Sequence, residues 1–298
     1  MIDNRIKSIL LSPMNLLYRL SPKTELKLMF WLKQGYSLNL ESPTTFNEKL
    51  QWMKLYWESK TREICSDKYS VRKYVEERCP DTLVELYWQG YKAEDIPFDN
   101  LPDKFVIKVT HGSGFNYFCK DKSKLDKAFV IKTVNGWLKE KYLVCYGEEF
   151  YGKVLPSIII EEYIDSDSNT GLVDYKILCF DGEPKYIWVA FDRYSEQGPQ
   201  GVVLDTSWNV IDDVYMSYPL RDKNKVPKKP ECLDLLLDKA KTLSKGLPHV
   251  RVDMYIVGNR IIFGEMSFSH GAGFDKIKPY AFDKELGDKF ILPEKNRE

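Results

Sequence analysis

The chain has 298 residues, of which 43% are hydrophobic, and its 44 basic and 44 acidic side chains leave a formal net charge of zero. That length is ample for a complete hydrophobic core. A protein that coats nucleic acid carries a basic excess, which is missing here, and the interspersed charges argue against long disorder.

The 19 Tyr, 15 Phe and 7 Trp suit a well-packed interior. Cysteines stand at 65, 79, 119, 145, 179 and 232 with no Cys-x-x-Cys pair. A zinc ribbon or thioredoxin-type site is therefore unsupported, and reduced thiols are expected. From Ser8 to Tyr18 the chain is uncharged, flanked by Arg5, Lys7 and Arg19. The stretch is too short to cross a bilayer, Pro13 is expected to interrupt it, and no small-residue cleavage site follows. The expectation is an amphipathic helix resting on the protein body or on a membrane surface.

The first sixty residues read as helical. Thr45 and Glu48 form a capping box that opens a helix from Phe46 to Trp57, with Leu50, Met53 and Trp57 on one face. A second helix is expected from Asp67, with Val71, Tyr74 and Val75 inward. The period then changes. Phe105 to Val109 reads as a strand running into the loop His111-Gly-Ser-Gly114, and Ser157 to Ile164 as another. Tyr175 to Phe180 and Tyr186 to Phe191 read as a hairpin about Asp181-Gly182. The hydrophilic run Arg221 to Glu231 is a surface loop, and Leu233 to Leu243 a helix ending near Gly246. Two last strands, His249 to Val257 and Arg260 to Phe268, turn at Gly258-Asn259. Helices first and antiparallel pairs later indicate an α+β chain.

Three groups of residues can carry chemistry. The sharpest is Arg251-Val-Asp253 followed by Glu265-Met-Ser267. Side chains alternate along a strand, so Arg251 and Asp253 share one face while Val250, Val252, Met254 and Ile256 fill the other. Two acids and a hydroxyl on adjacent strands can offer hard oxygen ligands to Mg2+. This requires Asp253 to lie opposite Glu265, which a three-residue loop Gly258-Asn259-Arg260 with a bulge provides. The same pattern equally suits solvated positions on a half-exposed hairpin.

The second group is Lys108 on its strand with the glycine loop after it. Lysine can meet a phosphate, and backbone amides of such a loop can approach phosphate oxygens. No Gly-Lys-Ser/Thr closes the loop, so it is not a Walker loop, and a tight turn explains it as well. The third is Ile158-Ile-Ile-Glu161-Glu162-Tyr163-Ile164, an apolar strand that could offer backbone groups to an adenine edge or could simply end at the surface.

In their order along the chain these pieces resemble the ATP-grasp superfamily. The series is Asp67-Lys68 opening a helix, Lys108, the glycine loop, Ile160-Glu-Glu-Tyr-Ile164, Arg251-x-Asp253 and Glu265-x-Ser267. Phe46-Asn-Glu-Lys-Leu-Gln-Trp52 and Asp174-Tyr-Lys-Ile-Leu-Cys-Phe-Asp-Gly182 are similar to the ATP-grasp family of teichuronopeptide and other surface-polysaccharide biosynthesis. The resemblance runs from about residue 40 to the end. It implies an ATP-grasp fold, two α+β subdomains clasping ATP, with a helical region over 1–62, one subdomain over 63–164 and a second over 165–298. It implies an ATP- and Mg2+-dependent ligase that forms an amide through an acyl phosphate. Lys68, Lys108 and Lys176 would bind nucleotide phosphates, Gly112, Ser113 and Gly114 would cover them, and Glu161, Glu162, Tyr163 and Ile164 would hold adenine. Asp253, Glu265 and Ser267 would bind Mg2+, with Ser267 where an amide is usual, and Arg251 and Lys108 would serve catalysis. The partners implied are a glycan or small molecule with a carboxylate and an amine, without nucleic acid. The location implied is the cytoplasm or the inner face of the membrane, with peripheral membrane contact. His270 could meet substrate or a turn, and Arg193 could meet phosphate or carboxylate. Asp165-Ser-Asp167 leaves an alternative, a metal-dependent glycosyltransferase of polysaccharide synthesis, although no Rossmann-type opening supports it.

Overall fold

The computed structural model describes residues 10–112, 114–140, 143–165 and 171–297. Helices α1 (Ser12–Leu20), α2 (Pro22–Gln34) and α3 (Phe46–Tyr56) come first, then α4 (Lys60–Cys65) and α5 (Ser70–Glu76). Strands β1 (Leu86–Gly90), β2 (Phe105–Val109) and β3 (Asn116–Cys119) precede α6 (Lys127–Lys139) and β4 (Ile158–Glu162). Next are β5 (Asp174–Phe180), β6 (Glu183–Phe191), β7 (Gln200–Asp205) and β8 (Tyr215–Met216). Helix α7 (Leu233–Ser244), β9 (His249–Val257), β10 (Arg260–Ser267), β11 (Ile277–Lys278) and α8 (Tyr280–Lys289) complete the chain.

These elements form two compact units. The larger comprises Met1–Ser59, Leu143–Glu149 and Ser168–Glu298, and the smaller Lys60–Tyr142 and Phe150–Asp167. The N-terminal helices thus belong with the C-terminal half instead of standing apart over 1–62. The tie is chemical. The Asn47 amide and side chain both donate to the Asp283 carboxylate at 3.1 Å, and Lys49 Nζ donates to Gly287 O and Phe290 O at the end of α8. Burial, first of all, pushes the Asp283 carboxyl up to about 6, while the Asn47 hydrogen bonds pull it down.

The larger unit is built on an antiparallel sheet in the order β10-β9-β5-β6-β7. Alternation gives it two faces. Ile177, Cys179, Val250 and Val252 are buried on one of them, and α7 packs on β5, β6 and β9 through buried Leu236, Ala240 and Leu243. On the other, Leu178, Tyr186, Trp188 and Val203 join a core with Leu26, Phe30, Phe46 and Leu50 of the N-terminal helices. The β5–β6 turn at Asp181-Gly182 has φ of 49° and 74°, the left-handed pair that a tight hairpin requires.

The smaller unit carries an antiparallel sheet in the order β1-β4-β2-β3. Phe105, Ile107, Val109, Ile158 and Ile160 pack on Val130 and Val134 of α6. Val106, Lys108, Ile159 and Glu161 therefore share the opposite face.

Most expected elements occur close to their predicted bounds. The capping box is present, since Thr45 Oγ1 accepts from the Glu48 amide and Glu48 Oε2 accepts from the Thr45 amide. Pro13 does not interrupt its segment. It lies in the first turn of α1, where a missing N–H breaks no helical bond. The expected helix at Asp67 begins at Ser70, and Asp67 caps it by accepting from the Tyr69 and Ser70 amides. All six cysteines are free thiols. Among the described residues no helix is long and apolar enough to cross a membrane.

Candidate functional site

In the larger unit, register aligns the charged residues. Lys176 pairs with Asp253, and Asp253 with Glu265, making one row across β5, β9 and β10. Ser267 pairs with Arg251 in the next row. Arg251 grips Asp253 through two bonds of 2.7 Å, Nε to Oδ1 and Nη2 to Oδ2. The same Nη2 reaches Ser267 Oγ at 3.0 Å and Glu265 Oε1 at 3.3 Å. Lys176 Nζ donates to Asp253 Oδ2 at 2.5 Å and pairs with Asp174 Oδ2 at 2.9 Å, and Arg193 Nη1 meets that Asp174 oxygen at 3.3 Å. The row closes against Trp188, with the Lys176 and Arg251 cations 5.7 and 5.8 Å from its ring.

Electrostatics follows from this packing. Burial opposes charge on Asp253, yet Arg251 and Lys176 hold its carboxyl below the usual carboxylate range. Asp174 meets Lys176 and, at the longer 3.3 Å, Arg193, while its Oδ1 has no hydrogen-bond partner, and burial pushes it up against the pull of Lys176. Burial disfavours charge on Arg251, but Asp253 outweighs it and raises its pKa. Arg251 Nη1 donates to His270 Nδ1 at 2.5 Å. A guanidinium cannot accept, so the His270 proton sits on Nε2, which faces Ser217 Oγ at 3.0 Å and Asp275 Oδ2 at 3.1 Å. Burial, above all, lowers the His270 pKa and keeps the ring neutral.

The pairing of Asp253 with Glu265 arises differently from the sequence reading. Val257 pairs with Arg260, so the loop has two residues, Gly258 and Asn259, instead of three. The extra residue lies further on, as a bulge between Phe263 and Glu265. A Cβ at Gly264 would stand 3.0 Å from Asp253 O and 3.1 Å from the Tyr255 ring, so the bulge takes glycine.

In the smaller unit, Lys108 Nζ pairs with Glu161 Oε2 at 2.6 Å, and Arg72 Nη1 takes Glu161 Oε1 at 2.5 Å. Both oxygens of Glu161 are engaged. Glu162 points to the opposite face, where its Oε2 accepts from the Glu85 amide at 3.3 Å. β4 ends at Glu162, so Tyr163 and Ile164 carry backbone outside the strand, and the Tyr163 ring meets Phe118 edge-on at 6.3 Å. Lys68 Nζ donates to Gly112 O at 2.5 Å. Gly112 and Gly114 have φ of 79° and 84°, which aim successive peptides as side-chain-bearing residues rarely can. Ser113 lies outside the described residues, as does Asp167. Asp165 is exposed and paired with Lys104 at 2.7 Å.

The sequence-chosen residues thus fall into three groups: Arg251, Asp253, Glu265, Ser267 and Lys176; Lys108 and Glu161; Lys68 and Gly112. Arg72, Asp174, Trp188, Ser217 and Asp275 escaped the sequence reading. Asp174 had a signal, because it precedes Lys176 by two residues on one strand and so shares its face. Arg72 had none, since its partner lies 89 residues away. The Mg2+ donor set consists of hard oxygens on neighbouring strands. Asp253 is buried with both oxygens on Arg251, and the Glu265 carboxylate is half exposed. Carboxylate oxygens can share a cation with a guanidinium, so the donor chemistry suits the ion, although among the described residues no three acids gather to hold it.

The α+β fold is that of the ATP-grasp class. Residues 48–291 match the TupA-like ATPgrasp family, and the chain belongs to that family. No curated protein matches it. Among solved structures, D-alanine–D-alanine ligase from Bacillus anthracis is 17% identical, covers 70% of this chain and 58% of its own, and has a TM-score of 0.43. The corresponding ligase from Helicobacter pylori is 14% identical, with coverages of 83% and 69% and a TM-score of 0.45. The ATP-grasp ligase PsnB is 11% identical, with coverages of 82% and 68% and a TM-score of 0.42. The chain spans less than two thirds of the length of the first of these structures.

Proposed function

We propose that the protein is an ATP- and Mg2+-dependent carboxylate–amine ligase. It attaches an amino acid or small amine to the carboxylate of a sugar acid, such as a uronic acid, during capsule or cell-surface polysaccharide synthesis. A substrate carboxylate oxygen attacks the γ-phosphorus of ATP, the bond to the ADP oxygen breaks, and an acyl phosphate forms. The amine nitrogen then attacks the acyl carbon, phosphate leaves with the C–O electron pair, and the nitrogen gives up a proton.

The observation that carries this reading is the row Lys176–Asp253–Glu265 with Arg251 gripping Asp253. Phosphoryl transfer asks mainly for positioning and positive charge. Arg251 and Lys176 are fixed cations for the phosphoryl oxygens, and Arg193 is a further one for phosphate or carboxylate. Lys68 and Lys108 bind nucleotide phosphates under the Gly112–Gly114 loop, and backbone from Glu161 to Ile164 receives adenine. Asp253, Glu265 and Ser267 hold Mg2+, which when bound neutralises phosphate charge. Use of ATP places the reaction in the cytoplasm, and a glycan acceptor assembled on a membrane places it at the inner face.

Calorimetry with ATP and with a UDP-sugar, each with and without Mg2+, tests the reading on wild type and Asp253→Asn. Mg2+-dependent ATP binding weakened by the substitution is expected, followed by ADP release in a screen of uronic acids with amines. Binding of the UDP-sugar and not of ATP overturns it.

A further inference from the structure

Helices α1 and α2 turn their inner faces to the core through Tyr18, Leu26, Met29 and Phe30. Their outer faces are unlike an ordinary protein surface. Leu16, Leu20, Leu28, Trp31 and Leu32 are each between 39% and 76% exposed. Leu28, Trp31 and Leu32 follow the spacing of one helix face, and Leu16 and Leu20 do the same on the neighbouring helix. Isolated exposed leucines are common, but a cluster of five large apolar side chains on two packed helices is not.

The exposed charges of these two helices have one sign. Arg19, Lys23, Lys27 and Lys33 are all exposed. Glu25, the sole acid between Leu10 and Gln34, is fully buried. We infer that the outer face of α1 and α2 docks on a lipid bilayer bearing anionic headgroups. Leucines and Trp31 enter the boundary between headgroups and acyl chains, and the four cations meet the headgroups. Charge complementarity selects this occupant over a second copy, because a face-to-face dimer would set four cations against four more. The inference uses neither the ligase chemistry nor any residue proposed for it.

The test is flotation of the full chain with vesicles of neutral phosphatidylcholine, alone or with about one third phosphatidylglycerol, at low and high salt. Expected is co-flotation with the anionic vesicles only, weakened by salt. Lys23→Gln with Lys27→Gln should lower the partition about 30-fold, from about fivefold per lysine at the surface. Leu28→Asp with Leu32→Asp should lower it by on the order of 100-fold, through lost apolar insertion. Both pairs are exposed, so the thermal unfolding midpoint should stay within about 2 °C of wild type. Absence of flotation with anionic vesicles at low salt overturns the inference, as does equal binding to neutral vesicles. A wild-type dimer in sedimentation that both variant pairs turn into monomer also overturns it, by making this face an interface between copies.

Discussion

The charged groups of the two units differ in balance and in what holds them. In the larger unit Asp174, Asp253 and Glu265 face Lys176, Arg193 and Arg251, acid for cation, on a frame of three paired strands. In the smaller unit one acid, Glu161, stands between Lys108 and Arg72, and Lys68 rests on a loop carbonyl. A balanced cluster gains little from a lone anion or a lone cation, so Mg2+ and phosphate should enter it together. A cluster with surplus positive charge should accept phosphate directly. The first is rigid because backbone register sets it. The second depends on a side chain from α5 and a glycine loop.

The largest expected effect comes from breaking the balanced cluster at its centre. Asp253→Asn leaves Arg251 and Lys176 buried with a neutral partner. We expect ATP turnover to fall by about 10³-fold or more and stability in urea to fall by about 3 kcal/mol. Near-normal turnover would remove Asp253 from the site. Glu265→Gln sharpens the contrast, because its side chain is 50% exposed. Turnover should fall comparably while stability changes by less than about 1 kcal/mol. Equal stability losses in the two variants would contradict the assignment of burial to Asp253 alone. In the positive cluster, Lys108→Ala should weaken ATP binding by about 10- to 100-fold with little loss of stability, since Arg72 still pairs with Glu161. An unchanged ATP affinity in calorimetry would take Lys108 out of nucleotide binding.

The smallest effect tests a buried carboxyl outside both clusters. Glu25 in α2 is fully buried, and neither of its carboxylate oxygens has a hydrogen-bond partner. Burial pushes its pKa up to about 8, against the pull of Lys54, from an ordinary value of 4.5. Between those two pH values the folded chain keeps a proton that the unfolded chain has released. Its contribution to stability is therefore present at low pH and lost as pH rises through that window. Glu25→Gln should flatten the decline between pH 5 and pH 8 by on the order of 2 kcal/mol, read from urea midpoints at a series of pH values. The same slope in wild type and variant would show that Glu25 stays ionised.

Much of this was legible in the amino-acid sequence where the physics is local. Thr45 and Glu48 announce their helix start, and Val250, Val252, Met254 and Ile256 announce which way Arg251 and Asp253 point. The bounds of β2 and β9 were readable from period alone. Partners distant in the chain were not. Nothing in the neighbourhood of Arg72 says that Glu161 will meet it, and nothing near His270 names Ser217. The neighbours of Glu25 in sequence do not disclose what α2 packs against. The loop between β9 and β10 shows a subtler failure. The sequence reading placed the extra residue at the turn, whereas the apolar pair Phe263 and Met266, three apart across Gly264, already marked where the alternation slips.

That slip gives the hairpin a parity rule. Before Gly264 the even-numbered Ile262 shares the charged face, and beyond it the odd-numbered Glu265 and Ser267 do. Adding or removing one residue at the turn would exchange inside for outside along the rest of β10 and carry both acceptors away from Arg251. Two residues gained or lost would leave the faces as they are. Relatives that keep the pairing of Asp253 with Glu265 should thus vary in hairpin length in steps of two, or else gain or lose their bulge at the same time.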